Sequence, residues 1–316
     1  MIKVLANDGI DKSAQVRLEG AGFNVTTANI KQDDLLTRIN DFDVLTVRSA
    51  TKVRKPLIDA MTRTKLIVRA GVGLDNIDVE YAQAKGITVK NTPLASSQSV
   101  AELVFAHLFA GVRFLHQANR TMPVNGATKF NDLKKDYSAG IELRGKTLGV
   151  IGFGNIGKAA ARIGLGLGMN IIAFDVYPVF DHVTLELFDG QRLHVKIPLM
   201  PKEEVVRQAD FITVHAAGSQ PVIGREEFAN MKRGAMLINC ARGGVVDENA
   251  LVEALGNGTV SFAGIDVFEN EPTPRLDLLQ HPNVSLTPHI GASTAEAQTR
   301  IGEEVADIVI NHFKAS

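Results

Sequence analysis

Three residues in the last quarter of the chain carry side chains suited to proton and carboxylate chemistry, and each follows a short apolar run. Arg242 sits in Asn239-Cys240-Ala241-Arg242-Gly243-Gly244, beside glycines that clear space for a guanidinium. Glu271 sits in Asp266-Val267-Phe268-Glu269-Asn270-Glu271-Pro272, and His289 in Thr287-Pro288-His289-Ile290-Gly291. Open α/β sheets bind ligands at the carboxyl ends of their strands, so all three are expected to face one site. A guanidinium fork suits a carboxylate, and a histidine suits proton exchange near neutral pH. Each residue also has a bland explanation: a core or surface histidine, an arginine that ends a strand, a solvated glutamate.

A second constellation favours the chemical reading. Thr147-Leu148-Gly149-Val150-Ile151 reads as a buried strand that enters Gly152-Phe153-Gly154-Asn155-Ile156-Gly157, with a helix following from Lys158. A further strand over residues 171–174 ends at Asp175. This is the G-x-G-x-x-G fingerprint in strand–turn–helix–strand order. The first glycine permits the tight turn, the second lets backbone approach a pyrophosphate, and the third lets helix and strand pack closely. Backbone N–H groups at the helix start hold the phosphates. Asp175 lies about 20 residues on, where an acid meets the ribose hydroxyls. It would repel a 2'-phosphate, and Val176 and Tyr177 follow it in place of arginine, so NAD is favoured over NADP. Gly164, Gly166 and Gly168 lack this setting and read as close helix packing.

The elements that must position these residues follow an alternating pattern, which argues for parallel sheets covered by helices. Strands are expected over residues 2–6, 23–27, 44–48, 66–70 and 87–90, separated by helices over 13–19, 33–39, 56–61 and 79–84. They make one doubly wound domain. A long helix starts near Ser99, and Val100, Leu103, Val104, His107, Leu108 and Val112 recur along it at helical spacing. Residues 122–140 contain Pro123, Asn125-Gly126 and Lys134-Lys135-Asp136, and are expected to be an irregular arm. A second series has strands at 147–151, 171–174, 211–214, 235–239, 262–266 and 284–287. Residues 183–197 alternate around Asp189-Gly190 and read as a β-hairpin. A last helix runs over 293–313, with Ser293 and Glu296 at capping-box spacing.

The 316 residues suffice for two domains; 45% are hydrophobic and 22% charged, an ordinary globular composition. A net charge of -1 leaves no field to draw the protein to nucleic acid or to a membrane surface. The single cysteine, Cys240, can form neither an internal disulfide nor a multi-cysteine metal site, and no metal is expected. No apolar run approaches the ~20 residues that span a bilayer. Asp8 and Gly9 come too early for a signal peptide, so a cytoplasmic location is expected.

The chain resembles the D-2-hydroxyacid dehydrogenase family. The resemblance rests on Val47-Arg48-Ser49-Ala50-Thr51, on Arg69 through Asp78 with Gly71-Val72-Gly73, on Asn91-Thr92-Pro93 and on Ser99-Val100-Ala101-Glu102. It also rests on the glycine fingerprint, on Cys240 through Glu248 and on Thr287 through Thr294, and so runs nearly end to end. It implies two Rossmann-like α/β domains: a discontinuous, flavodoxin-like substrate-binding domain of residues 1–97 and 290–316, and an NAD-binding domain of residues 98–289. The active site would lie in the cleft between them. Arg242 would hold the substrate carboxylate and polarise the C2 oxygen. His289 would exchange the C2 hydroxyl proton, and Glu271 would orient the imidazole and stabilise its protonated form. Asp266 would face the nicotinamide amide; His215, Ala216, Cys240, Ala241 and Gly291 would line the cofactor. Arg48, Ser49 and Arg69 would meet the substrate, with Gly71, Val72 and Gly73 offering backbone N–H groups. Arg48 and Arg69 suit a phosphate, although surface ion pairing would explain them too. Lys135 in the arm would serve a partner subunit's pocket, and the long helix with the arm would form a homodimer interface.

The expected reaction is oxidation of 3-phospho-D-glycerate to 3-phosphohydroxypyruvate with NAD, the first step of serine biosynthesis. The alternatives are reduction of glyoxylate, hydroxypyruvate or another 2-keto acid, or an NAD-sensing binding protein without catalysis. Three departures stand out. Ala216 through Pro221 replaces a proline-leucine-threonine run, Ser96 stands where asparagine is frequent, and the 183–197 hairpin is enlarged. The chain ends at Ser316, so no regulatory small-molecule domain and no serine feedback through one are expected.

Overall fold

A computed structural model describes residues 1–177, 181–218 and 220–314. Ser219, within the 216–221 departure, and Ser316 lie outside the described residues. The chain divides into two compact units, Met1–Ser97 with Ala292–Ser316, and Gln98–Gly291.

The first unit has five parallel strands: β1 (Lys3–Ala6), β2 (Asn24–Thr26), β3 (Val44–Val47), β4 (Leu66–Arg69) and β5 (Thr88–Asn91). Their order across the sheet is β2-β1-β3-β4-β5, the flavodoxin-like doubly wound order. The crossovers carry α1 (Lys12–Gly20), α2 (Gln32–Arg38), α3 (Lys55–Ala60) and α4 (Val79–Ala84). β3 is buried at all four positions, as a sheet covered on both faces requires. The last helix, Ala295–Lys314, belongs to this unit. Val305 and Val309 pack with Val4, Leu18 and Leu66, and a Cβ on Gly302 would come within 2.9 Å of the Asp11 Cβ. Its cap is Thr294, whose Oγ1 accepts the Ala297 N–H at 3.2 Å. The Ser293 capping box is therefore corrected by one residue: with Thr294 as cap the third helical position is Ala297, not Glu296.

The second unit opens with α5 (Ser97–Val112) and α6 (Leu115–Asp136), then β6 (Thr147–Ile151), α7 (Asn155–Gly166) and β7 (Asn170–Phe174). The hairpin of β8 (His182–Glu186) and β9 (Arg192–Lys196) follows. Then come α8 (Lys202–Gln208), β10 (Phe211–Val214), α9 (Arg225–Asn230), β11 (Ala235–Asn239), α10 (Glu248–Gly256), β12 (Val260–Ile265), α11 (Leu276–Leu279) and β13 (Val284–Leu286). The six-stranded sheet runs β13-β12-β11-β10-β6-β7, and every pairing is parallel. Leu199 adds a one-residue parallel bridge to Ala173 outside β7. With that bridge as a vestigial third strand, the order is the Rossmann 3-2-1-4-5-6 with one strand more.

Leu187 donates its N–H to Gln191 O and Gly190 donates to Leu187 O, both at 2.9 Å, and Gly190 has φ +84°. The hairpin loop is thus Phe188-Asp189-Gly190, with glycine in the left-handed position that three-residue loops demand. The irregular arm expected over 122–140 is corrected: residues up to Asp136 are helical, with Pro123 inside and a break at Lys129 (φ -126°, ψ 28°). Met122, Ala127, Leu133, Lys134 and Lys135 are helix formers within this stretch, and tertiary contact between its ends overrides the local Pro123 and Asn125-Gly126 turn signals. The break lets the chain return, so that Tyr137 stacks on Phe114 at 5.7 Å and its hydroxyl meets Thr121 Oγ1 at 2.8 Å. Of the three later glycines, Gly164 is tightly packed, with Ile171 2.7 Å from its Cβ position. Gly166 borders open space, and Gly168, at φ +75°, turns the chain after the helix.

Candidate active site

The glycine loop lies between β6 and α7. Gly152 has φ +95°, and a Cβ there would fall 2.7 Å from the His215 carbonyl. A Cβ on Gly157 would fall 2.2 Å from Gly152 O. Both positions admit only glycine, because the β6, β10 and α7 backbones converge there. Gly154 differs: among the described residues its Cβ would meet nothing within 4 Å. Asn155 and Ile156 open a twelve-residue helix that has no side-chain cap. An uncapped helix start behind an open glycine cradle fits a pyrophosphate. Asp175, at the end of β7, holds the loop: its Oδ2 accepts the Phe153 N–H at 2.6 Å and its Oδ1 the Tyr177 N–H at 2.8 Å.

His215 follows β10, and its N–H donates to Ile151 O at 2.7 Å. Its Nε2 meets Thr213 Oγ1 at 3.0 Å, and burial drives its pKa down to about 3, so the ring is neutral. Among the described residues its buried Nδ1 has no hydrogen-bond partner. Partly buried Ala216 packs against the core. The Cys240 thiol is buried, and burial pushes its pKa well up, so it contributes packing, not a nucleophile. Ala241 is buried beside it.

Three loops at the carboxyl edge of β11, β12 and β13 carry the remaining groups. After β11, the Arg242 Nη1 donates to Ala241 O at 2.6 Å, and Asn239 Nδ2 donates to Arg242 O at 3.1 Å. Gly243 presses on the next loop: a Cβ there would lie 1.8 Å from Phe268 O. Glu248 and Glu269 bind that loop to α10 by exchanging bonds. Each carboxylate accepts the other residue's N–H, at 2.9 and 3.2 Å, and burial raises the Glu248 pKa. Glu271 Oε1 accepts the Phe268 N–H at 3.0 Å, and its Oε2 lies 2.8 Å from His289 Nδ1.

His289 adopts φ +56°, an uncommon conformation for a side chain of this size. Such strain of about 1–3 kcal/mol persists only where neighbours over-determine it. Asp266 does so. Its carbonyl accepts the His289 N–H at 2.8 Å, its Oδ1 the Ile290 N–H at 2.8 Å and its Oδ2 the Gly291 N–H at 2.9 Å. The resemblance turns Asp266 toward a nicotinamide amide; here the residue is 1% exposed and clamps the histidine loop. An apolar cavity of about 390 Å³, lined by Phe268, Pro272, Leu286 and Pro288, borders Glu271 and His289.

In the first unit, Val47 and Arg69 are register partners on β3 and β4, so Arg48 and Arg69 end neighbouring strands. Asp8 shapes the loop after β3: its Oδ2 accepts the N–H groups of Arg48 and Thr51, at 2.7 and 3.1 Å, and its Oδ1 the Thr51 hydroxyl at 2.6 Å. Ser49 is exposed. Arg69 folds over Gly71, whose Cβ would overlap its guanidinium. Asn91 Nδ2 donates to Val72 O at 2.6 Å, and Val72 and Gly73 are half-buried.

A family model described as the D-isomer specific 2-hydroxyacid dehydrogenase NAD binding domain matches residues 105–291. The chain belongs to that family. This dehydrogenase-family chain is 42% identical over 318 residues to the hydroxypyruvate reductase of Thermotoga maritima, covering 98% of each. It is 43% identical over 313 residues to the D-3-phosphoglycerate dehydrogenase of Methanocaldococcus jannaschii, covering 97% of this chain but 56% of that protein. Among solved structures, a glyoxylate reductase from Paecilomyes thermophila matches with TM-score 0.82 and 28% identity, over 98% of this chain and 94% of its own. The Aquifex aeolicus D-lactate dehydrogenase complexed with NAD and lactic acid matches with TM-score 0.77 and 28% identity, over 100% and 96%. The glycine loop, the open position at Gly154 and the uncapped α7 are what the NAD-binding domain of this family requires.

Within the second unit the structure brings Glu271 to His289 and stacks the Arg242 loop on the loop carrying Glu271. Sequence reasoning missed the glycine contact at 243, the Glu248–Glu269 exchange and the partners of His107. The last carried a signal: a histidine on the apolar stripe of α5 needs hydrogen-bond partners.

Proposed function

We propose that the chain oxidises 3-phospho-D-glycerate to 3-phosphohydroxypyruvate with NAD, in the cytoplasm, as the first step of serine biosynthesis. The observation that carries the reading is the 2.8 Å contact between Glu271 and His289 Nδ1, on the same sheet edge as the glycine loop. A carboxylate can only accept, so in the neutral ring Nδ1 holds the hydrogen and Nε2 is the bare nitrogen. His289 Nε2 takes the C2 hydroxyl proton, and Glu271 orients the ring and offsets its new positive charge. Arg242 holds the substrate carboxylate and polarises the C2 oxygen. NAD, when bound, supplies the hydride acceptor at nicotinamide C4. Asp175 at the end of β7 favours NAD over NADP.

Arg48 and Arg69, at the ends of adjacent strands, are assigned to the substrate phosphate, with Ser49, Gly71, Val72 and Gly73 around them. Residues 1–97 and 290–316 form the substrate-binding domain in this reading, and residues 98–289 the NAD-binding domain. We further propose a homodimer through α5 and α6, where Phe109, Leu115, Met122, Val124 and Phe130 are exposed apolar residues. Full-length similarity to a hydroxypyruvate reductase supports a second reading, reduction of hydroxypyruvate, glyoxylate or another short 2-keto acid. NADH formation across a panel of phosphorylated and plain 2-hydroxy acids separates the two. The first reading expects 3-phospho-D-glycerate to lead the panel and Arg48→Ala to weaken it far more than glyoxylate. Equal losses on both substrates would favour the second.

A further inference from the structure

His107 lies on α5, 3% exposed, where the helix meets the sheet. The packing there has no slack. A Cβ on Gly264 of β12 would fall 2.5 Å from the His107 Cβ, and a Cβ on Gly111 one turn on would fall 2.5 Å from the Phe262 ring. Two missing side chains therefore let α5 settle onto β12 and bring the imidazole to β13. Ser285 and Thr287 are two residues apart, so they share a face of the extended chain. The ring bridges them: Nδ1 lies 2.9 Å from Ser285 Oγ and Nε2 3.0 Å from Thr287 Oγ1.

Counting donors gives this arrangement a direction. The Thr287 hydroxyl donates its one hydrogen to Asp266 Oδ1, at 2.6 Å. Toward His107 it can then only accept, so Nε2 carries the ring hydrogen. Nδ1 is left as an acceptor, and the Ser285 hydroxyl donates to it. Burial pushes the ring pKa down to about 4, which keeps this neutral form at working pH. The bonds run one way, from Ser285 through His107 and Thr287 to Asp266. There they reach the carboxylate that holds the Ile290 and Gly291 N–H groups. Aligned chains of this kind polarise each successive bond.

We propose that His107 is a positioning residue for His289, acting through Thr287 and Asp266 to hold the strained backbone that aims the catalytic imidazole. The inference rests on the dehydrogenase reading for its kinetic consequence, but not for its geometry. It makes His107 more than a satisfied core histidine. Removing it frees the Thr287 hydroxyl to turn from Asp266 and loosens the clamp on residues 290 and 291.

The test combines nuclear magnetic resonance with steady-state kinetics on the full chain. In the wild type, 15N spectra should show His107 as a single neutral tautomer protonated at Nε2. Protonation at Nδ1, or an average of the two, would overturn the relay. His107→Leu and Thr287→Val should each lower kcat about 10- to 100-fold, the scale of a small misplacement of a catalytic group. The KM for NAD should stay within about two-fold, since the glycine loop is untouched. Their double variant should be no worse than the more damaged single one, because both cut the same chain. Thr287→Ser and His107→Gln each retain a donor and an acceptor and should recover most of kcat. Additive losses, or kcat unchanged in Thr287→Val, would overturn the proposal. If His107→Leu does not fold, the Gln and Val variants still decide. A wild type inactive on every 2-hydroxy acid would defeat the functional reading alone. The tautomer, and a shift of the His289 ring signal in Thr287→Val, would still test the relay; an unmoved His289 signal would refute it.

Discussion

Gly243→Ala adds one methyl group where the loops after β11 and β12 touch. That methyl carbon would start 1.8 Å from Phe268 O, 2.4 Å from Phe268 C and 2.9 Å from Glu269 N. Real Cβ atoms do not come closer than 3.0 Å, so the loops must part by more than 1 Å. The obstacle is backbone, and no rotamer change relieves it. The displaced peptide is the one before Glu269, one residue after the N–H that Glu271 accepts and two before Glu271 itself. The shift therefore reaches the Glu271–His289 contact and moves Arg242 in the opposite sense. A 1 Å misplacement costs about 10²-fold in rate, and overpacking costs about 1–3 kcal/mol of stability. We expect kcat to fall about 100-fold while the dissociation constant for NAD, by calorimetry, changes little. Gly166→Ala is the control: its Cβ meets nothing within 4 Å, so kcat should hold and stability should rise by up to about 1 kcal/mol. Wild-type kcat in Gly243→Ala would refute the claim that loop contact sets the catalytic geometry.

Two further outcomes follow from the same geometry. Gly154→Ala should leave the thermal midpoint unchanged, because its methyl enters open space, yet weaken NAD at least ten-fold by occupying the pyrophosphate approach; unchanged NAD affinity would contradict the assignment of the loop. His107, with its pKa lowered to about 4 by burial, binds its proton more weakly folded than unfolded. Its contribution to stability is intact above pH 6.5 and is lost as pH falls toward 4, by about 3 kcal/mol. Denaturant titrations across that window should show a shallower pH slope for His107→Leu, and parallel slopes would be the contrary result.

The two sheets were legible because their central strands are buried on both faces and read as unbroken apolar runs. The glycine loop was legible because two of its glycines are sterically compelled. α6 was misread since Pro123 and Asn125-Gly126 are local turn signals, while the return of Tyr137 to Phe114 is a tertiary contact. The helix cap slipped from Ser293 to Thr294 because adjacent hydroxyl residues offer equivalent caps in sequence. Arg242, Glu271 and His289 could be nominated from strand ends. The devices that hold them could not: the Gly243 contact, the Glu248–Glu269 exchange and the Asp266 clamp join segments about 20 or more residues apart.

The central claim is that His289 is the proton acceptor for an NAD-linked oxidation at C2. The direct measurement is NADH formation by His289→Ala on 3-phospho-D-glycerate, with NAD binding measured on the same preparation. The account predicts wild-type NAD affinity with turnover lowered about 10²–10⁴-fold. Undiminished turnover at full NAD affinity would contradict it.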